Sequence, residues 1–406
     1  MNEMHFIPGG VTAAISFKAA GVHCGIRRNR SKRDLALIVA DRPCAAAAVC
    51  TTNLVKAAPV HLTMEHLQDG KARAILVNSG NANACAPGGM EAAKACVNAT
   101  AAALGIKPEE IIVNSTGVIG QPLPVDVITG AIPELVGALS TDSGPAAEAI
   151  MTTDTFVKSF AVKFMIDGKP VVLGGIAKGS GMIHPNMATM LAFLTTDCAI
   201  CPDLLRQALQ DSANRTYNRI SVDGDTSTND MTAILASGAA GNTTITEKGA
   251  DYDIFLAALD AINLKLAKEI ARDGEGATKL ITCKVSGATC EENAVVLAKS
   301  VITSSLVKSM MFGMDANVGR VLCALGYSGV SFDADAVDVA FSSDAGRVEV
   351  VKQGIGLSFD EDLAKAILVP KEVTIEVLLH EGNASAEAYG CDLTYDYVKI
   401  NGDYRT

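Results

Sequence analysis

No tryptophan occurs in the 406 residues, and aromatic side chains of all kinds make up only 4% of them. A large core is still within reach, because hydrophobic residues account for 49% and charged residues for 19%. That core has to be assembled from Ala, Val, Leu, Ile and Met, with small side chains packed closely. Positive charge is scarce as well. The 34 Lys and Arg face 45 Asp and Glu, which leaves a net charge of −11. One basic run stands out, Arg27–Arg33 (RRNRSKR). Such a run could grip phosphates, but in an acidic chain with few aromatics it reads as a solvated loop, and no nucleic-acid partner is expected. Long apolar runs are missing too: none reaches the ~20 residues that cross a bilayer. The opening MNEMHFIPGG carries neither the basic nor the apolar segment of an export signal. No membrane partner is expected, and a cytoplasmic location follows.

Cysteine is present without order. The 11 residues are an odd number and show no framework spacing, and several, such as Cys96 and Cys323, sit in apolar runs. Free buried thiols in a reducing compartment are the expectation. Cys198 and Cys201 form a lone CxxC with no second pair and no His at ligand spacing, so neither zinc nor redox use is assigned. Asp223, Asp225 and Asp230 lack the terminal Glu of a calcium loop, so no metal is expected. Asp273-Gly274-Glu275-Gly276 is not followed by Gly-Lys-Ser/Thr, so it is no nucleotide loop.

The length implies two or more lobes or one large layered domain. Strands are predicted at Ala36–Ala40, Ala45–Cys50, Ala72–Asn78, Ile111–Asn114, Thr189–Thr196, Thr232–Ala236 and Thr278–Ser286. Phe160–Ile166 and Pro170–Ala177 form a hairpin about Asp167-Gly168. Helices are predicted at Gly89–Leu104, Gly144–Met151, Cys201–Asn214, Asp251–Ala271, Glu291–Met311 and Glu361–Ile367. In the helix from Asp251, the residues Phe255, Leu259, Ile262, Leu266 and Ile270 share one face. Blocks mixed in this way, without strict alternation, give an α+β fold of layered sheets covered by helices.

Lys178–Phe193, KGSGMIHPNMATMLAF, carries the chemistry. An apolar run, Val171–Ala177, enters it, and another, Met190–Leu194, leaves it. Gly179, Gly181, Pro185 and Asn186 break the structure between them. The small pair Ala188-Thr189 therefore lies where a tight loop meets a strand. If the bond before Thr189 is cut, its hydroxyl gains an α-amine as neighbour. An amine with a pKa near ~8 is a suitable base for a weak hydroxyl nucleophile. The same hydroxyl could make the cut by attacking the Ala188 carbonyl. The alternative is a surface turn with a buried Thr opening a strand.

The residues of this segment, with TTD at 195–197, closely resemble the self-cleavage segment of the glutamate N-acetyltransferase family, the ornithine acetyltransferases of arginine biosynthesis. NSGNANAC at 78–85, NSTGVIG at 114–120, TTDT at 152–155, DGDTSTND at 223–230, DGEGATK at 273–279 and NGDYRT at 401–406 match in the same order. The resemblance runs nearly end to end. It implies a layered fold resembling N-terminal-nucleophile hydrolases, with cleavage between Ala188 and Thr189 into an α chain, 1–188, and a β chain, 189–406. It also implies Thr189 as nucleophile, Thr116 and Gly117 as oxyanion pair, and substrate contacts from Thr152, Lys178, Thr189, Glu275, Asn401 and Thr406. Adjacent Thr153 could replace Thr152.

The implied reaction moves an acetyl group from N2-acetylornithine to glutamate through an acetyl-Thr189 ester, with no cofactor. Acetyl-CoA is left open as a second donor. An (αβ)2 assembly is implied as well. Two rivals stand beside this reading. One is a self-processed amidohydrolase or aminopeptidase, in which water resolves the ester. The other is a binding protein with an inert Thr189. His184, two residues before Asn186, is read as shaping the loop, since the amine already fills the post of base.

Overall fold

A computed structural model describes residues 4–184 and 190–402. The expected cleavage pair Ala188 and Thr189, and the expected substrate contact Thr406, lie outside the described residues. Among those described, the strands form two mixed sheets. The first has nine strands. Its path runs His5–Ile7, Lys158–Ile166, Lys169–Lys178, Leu191–Thr196, Met231–Ala236, Leu35–Cys50, Lys71–Asn81 and Ile111–Val118, and Phe17–Val22 also pairs with Leu35–Cys50. The second has seven strands, centred on Glu372–Leu378, Leu280–Ala288 and Ala384–Cys391.

Helices cover these sheets as the apolar patterns require. Ala250–Arg272 presents Phe255, Leu259, Ile262, Leu266 and Ile270, all fully buried, to a core shared with the first sheet and with Pro202–Arg215. The second sheet buries one face beneath Glu291–Thr303, Ser305–Gly313, Val318–Gly326 and Glu361–Leu368. This is the layered α+β arrangement expected from the sequence.

Three local expectations change. The single helix predicted over Glu291–Met311 is two helices, bent by 58° at Ser304. Ser304 leaves the helical region and its hydroxyl caps the second helix by accepting from the Val307 N–H at 3.4 Å. Ser is a favoured N-cap, and Thr303-Ser304-Ser305 outweighed the apolar periodicity around it. The strands predicted at 36–40 and 45–50 are one strand, Leu35–Cys50, whose pairing register shifts between Val39 and Cys44. Cys323 is exposed, because Val318–Gly326 turns Val321, Ala324 and Leu325 inward and Cys323 outward. Among the described residues, no single helix is long and apolar enough to cross a membrane.

Candidate active site

Three neighbouring strands build the floor of the site. Lys169–Lys178 runs antiparallel to Leu191–Thr196, with Lys178 opposite Leu191. On the far side, Met231–Ala236 runs parallel to Leu191–Thr196, with Met231 opposite Leu191. Lys178, Leu191 and Met231 thus stand in one row. The middle strand of the three is the one that Thr189 precedes in sequence.

Thr116 and Gly117 do not follow the end of a strand, as the sequence suggested. Strand Ile111–Val118 keeps its parallel pairing with Lys71–Asn81 past them, Ser79 opposite Thr116 and Gly80 opposite Gly117, up to an irregularity at Asn81. Gly117 has φ +134°, and a Cβ there would come within 2.3 Å of the Gly80 carbonyl carbon. Only glycine fits on both counts. Two buried asparagines lace this strand end to the next loop. Asn114 Nδ2 donates to Asn229 O at 2.9 Å, and Asn229 Nδ2 donates to Ser115 O at 2.8 Å and Ala82 O at 2.6 Å.

Lys178 is buried, and its Nζ donates to Thr116 Oγ1 at 3.3 Å. Burial pulls its pKa below the usual lysine range, against the opposing pull of Asp154 and Asp230. Glu275 is buried as well. Its backbone N–H donates to Ser180 O at 2.9 Å, and its Oε2 accepts from Asn401 Nδ2 at 2.6 Å. The helix Tyr395–Gly402 brings Asn401 there. Gly181 lies against this carboxylate, so a Cβ at that position would stand 2.3 Å from its oxygen.

A fully buried ion network holds these loops in place. Lys158 Nζ donates to Asp154 Oδ1 at 2.7 Å and to Asp273 Oδ2 at 2.6 Å. Asp154 also accepts from the N–H groups of Gly179 at 2.7 Å and Thr152 at 3.0 Å. Asp273 accepts from the Thr155 N–H, and its backbone carbonyl accepts from Ser180 Oγ at 2.6 Å. Burial alone would raise the pKa of Asp154. The charges of Lys158 and Lys178 and the Gly179 N–H overcome it and hold the carboxyl at about 2.

The loop before the undescribed stretch is tied to residues 221–226. Asp223 accepts from the N–H groups of Met182 at 2.6 Å and Ile183 at 2.9 Å. His184 Nδ1 lies 3.1 Å from Ser221 Oγ, and burial, with the nearby Lys299 charge, lowers its pKa to about 4. A neutral, tethered His184 fits the loop-shaping part expected of it. Burial, with the nearby Asp197 charge, raises the Cys198 thiol to about 12. The basic run is only partly solvated: Arg27 donates to Met151 O and Arg33 pairs with Glu148.

These elements enclose a cleft of roughly 720 Å3, open to solvent. Thr116, Gly117, Thr152, Lys178, Glu275 and Asn401 all line it, so six candidates spread over 286 positions of sequence meet in one place. Thr153 lines it beside Thr152, and Met190 lines it at the end of the undescribed stretch. Sequence reasoning missed Lys158, Asn114 and Asn229 and left Asp154 and Asp273 without a role. Four of these five lie inside the quoted motifs, but the partners of Asn114, Asn229 and Asp273 are remote in sequence. Nothing in the sequence singles out Lys158.

Residues 18–406 match the ArgJ family. The chain belongs to that family. It is 53% identical to the arginine biosynthesis bifunctional protein ArgJ 1 of Clostridium acetobutylicum, over 98% of this chain and 97% of that protein. It is 52% identical to the arginine biosynthesis bifunctional protein ArgJ of Symbiobacterium thermophilum, over 99% of this chain and the whole of that protein. A crystal structure of the ArgJ protein of Bacillus halodurans matches with a TM-score of 0.50 and 47% identity, covering 52% of this chain and 98% of that one. As an ArgJ-family member the chain is an acetyltransferase, and its fold is of the N-terminal-nucleophile type.

Proposed function

We propose that this ArgJ-family enzyme cuts itself between Ala188 and Thr189 and then carries acetyl groups on Thr189 from N2-acetylornithine to glutamate. The observation that carries the reading is the lining of the cleft. A buried cation, Lys178, and a buried anion, Glu275, flank the Thr116–Gly117 strand end, beside the strand that Thr189 leads into. Acetylornithine offers a matching α-carboxylate and a cationic side-chain amine. Thr189 Oγ attacks the acetyl carbonyl, its proton passing to the Thr189 α-amine. The oxyanion is held by Thr116 and Gly117, the C–N bond breaks, and the proton leaves on ornithine. Glutamate's amine then attacks the ester. Thr152, Asn401 and Thr406 complete the substrate contacts, and no cofactor takes part. The name "bifunctional" carried by the relatives supports acetyl-CoA as a second donor. The solved relative supports the cleavage. It matches 98% of its own length but only 52% of this chain, about the size of a piece beginning at Thr189. An acetyl-transfer assay with and without glutamate tests the reading. Steady hydrolysis without acceptor would favour the amidohydrolase alternative.

The two halves of the cleft should separate kinetically. Thr116→Ala removes help that exists only once the carbonyl is tetrahedral, so kcat should fall roughly 10²–10³-fold with little change in KM. Glu275→Gln removes a charge contact present in ground and transition states alike. It should chiefly raise KM for acetylornithine, by the loss of a charged hydrogen bond of about 1.5–3 kcal/mol. A Thr116→Ala enzyme with normal kcat, or a Glu275→Gln enzyme with unchanged KM, would count against these assignments.

The pieces should stay together, because Lys169–Lys178 and Leu191–Thr196 remain paired over six positions, Leu173 with Thr196 through Lys178 with Leu191, whether or not the loop is cut. Two cleaved protomers form an (αβ)2 unit in the cytoplasm, a symmetric pair being the commonest assembly. A solution mass equal to a single αβ unit would refute the pairing.

A further inference from the structure

The basic run is a feature of the sequence that the reaction as written leaves without a use. In a chain of net charge −11, Arg27–Arg33 places five cations within seven residues. Two of them are committed to the fold. Arg27 donates to Met151 O, and Arg33 pairs with Glu148 and donates to Gly21 O at 3.0 Å. The other three, Arg28, Arg30 and Lys32, are exposed, and among the described residues none of them has an ion-pair partner. The loop that carries them is held in one shape. Asp34, fully buried, accepts from the N–H groups of Cys24 at 2.6 Å, Gly25 at 3.3 Å and Arg27 at 2.9 Å. Asn29 Oδ1 accepts from the Ser31 N–H at 3.0 Å and the Ser31 hydroxyl at 2.7 Å, and Asn29 O accepts from the Lys32 N–H at 3.1 Å. Cations on a preformed turn bind a polyanion at a smaller entropic cost than cations on a free chain.

This loop borders the cleft. A Cβ at Gly80 would come within 2.9 Å of Ile26 Cγ2 and 3.1 Å of Arg27 Cγ, and Gly80 is the residue opposite Gly117. Met151, which Arg27 holds, directly precedes Thr152 on the cleft wall. Burial first, then Lys158 and then the Arg27 charge lower the pKa of Lys178, so Arg27 lies within electrostatic reach of the cleft. Exposed apolar side chains accompany both places. Ile119 lines the cleft and is 39% exposed, and Val127, 37% exposed, has its Cγ1 3.6 Å from where a Cβ of Gly25 would stand. The cleft itself is lined by two acidic side chains, Asp230 and Glu275, and one basic side chain, Lys178, a poor setting for phosphate.

We infer that the loop 24–34 is the docking site for the phosphates of acetyl-CoA, with Arg28, Arg30 and Lys32 on the phosphates and the uncharged arm of the donor passing over Ile119 into the cleft. The inference rests on the reading of acetyl-CoA as a second donor. Thr189 Oγ bonds to the acetyl carbon as it does with acetylornithine, the C–S bond breaks, and the thiol leaves with the hydroxyl proton. Acetylornithine carries no phosphate, so the three cations serve one donor and not the other. They also give a polyanion a place to land on an acidic protein, and that attraction weakens as salt screens it.

The test uses the full-length protein, its Arg28→Ala/Arg30→Ala/Lys32→Ala form and three donors. These are acetyl-CoA, acetylornithine, and acetylpantetheine, which keeps the thioester and the arm but has no phosphate. In the wild type, KM for acetyl-CoA should lie roughly 10–100-fold below that for acetylpantetheine, the yield of one or two charged hydrogen bonds. Added salt should raise the first KM and leave the second alone. In the variant, KM for acetyl-CoA should climb toward the acetylpantetheine value with kcat little changed. The ratio of kcat/KM for acetyl-CoA to that for acetylornithine should fall by the same factor. Equal wild-type KM for the two thioesters, an unaltered KM for acetyl-CoA in the variant, or an equal loss with acetylornithine would each overturn the inference. Salt-sensitive binding of duplex RNA that the variant loses, with KM for acetyl-CoA unaltered, would give the loop to nucleic acid and overturn it as well. If the triple variant does not fold, Arg30→Glu replaces it, and the wild-type comparison of the two thioesters decides without any variant. A wild-type protein that uses acetylornithine but neither thioester would instead sink the second-donor reading, and the inference with it.

Discussion

Thr189→Ala should leave the protein as one 406-residue polypeptide with no acetyl transfer above background. The substitution removes the hydroxyl needed twice, first to attack the Ala188 carbonyl and then to accept the acetyl group. It also means that the α-amine never appears. Loss of a covalent nucleophile working with its base costs up to about 10⁶-fold in kcat, so the expected activity lies below ordinary detection. Thr189→Ser keeps a hydroxyl and should cut and transfer slowly. Denaturing electrophoresis and intact mass read the first effect, and an assay with acetylornithine and glutamate reads the second. An uncut Thr189→Ala protein with substantial transferase activity would remove Thr189 from both roles. A cut one would move the self-cleavage elsewhere.

Lys158→Met should produce the largest loss of stability, about 3–5 kcal/mol, the range found when one partner of a buried ion pair is removed. Lys158 and Asp154 have fully buried side chains and Asp273 nearly so, and the lysine is shared between the two carboxylates. Without it, Asp154 keeps the more distant Lys178 charge and Asp273 keeps mainly Thr155. In the unaltered protein the folded-state pKa of Asp154 is depressed to about 2. Its contribution to stability is therefore present above the ordinary carboxylate range and is lost as pH falls toward that value. In the variant the sign reverses. A buried carboxylate without its cation has a raised pKa, so its protonated form is favoured in the fold, and the deficit should shrink on acidification. Urea unfolding at pH 8 and pH 5 tests both statements. A loss under ~1 kcal/mol, of the size of an exposed pair, would mean that the network does not hold the site. Catalysis should suffer along with stability, because Asp154 carries the Thr152 and Gly179 N–H groups and Asp273 anchors Ser180.

Where local signals were strong, the chain was legible. The five-residue apolar stripe of the helix from Ala250 came out fully buried. Pro202 sits in the first turn of its helix, as its fixed φ favours. The hairpin about Asp167-Gly168 pairs throughout, from Lys158 with Ala177 to Ile166 with Lys169. Legibility failed where two local signals competed. The Thr-Ser-Ser run broke a helix that apolar periodicity would have continued. Val125–Gly137, with Pro133 inside it, was not foreseen, because proline counts against a helix interior. Ile111–Val118 was expected to stop at Asn114, since Ser-Thr-Gly reads as a turn, yet parallel pairing with residues 79–81 carries it on.

The sequence by itself determined a set of candidates for the site. Thr116, Gly117, Thr152, Lys178, Glu275 and Asn401 were all named through short motifs that resemble those of a known family. It also determined the layered α+β class, through mixed helical and strand periodicities. Only the tertiary structure decided that these six share a cleft, that Lys178 reaches the Thr116 hydroxyl, and that Asn401 reaches back from the last helix to Glu275. Only it revealed the support beneath them, Lys158 between two buried aspartates and Asn229 lacing a strand end to a loop. The physical reason is that such groups act mostly on partners more than a hundred residues away, Asp273 for Lys158 and Ser115 and Ala82 for Asn229. A lysine at position 158 carries no local mark of that duty until the fold brings Asp154 and Asp273 to either side of it and shuts out the water.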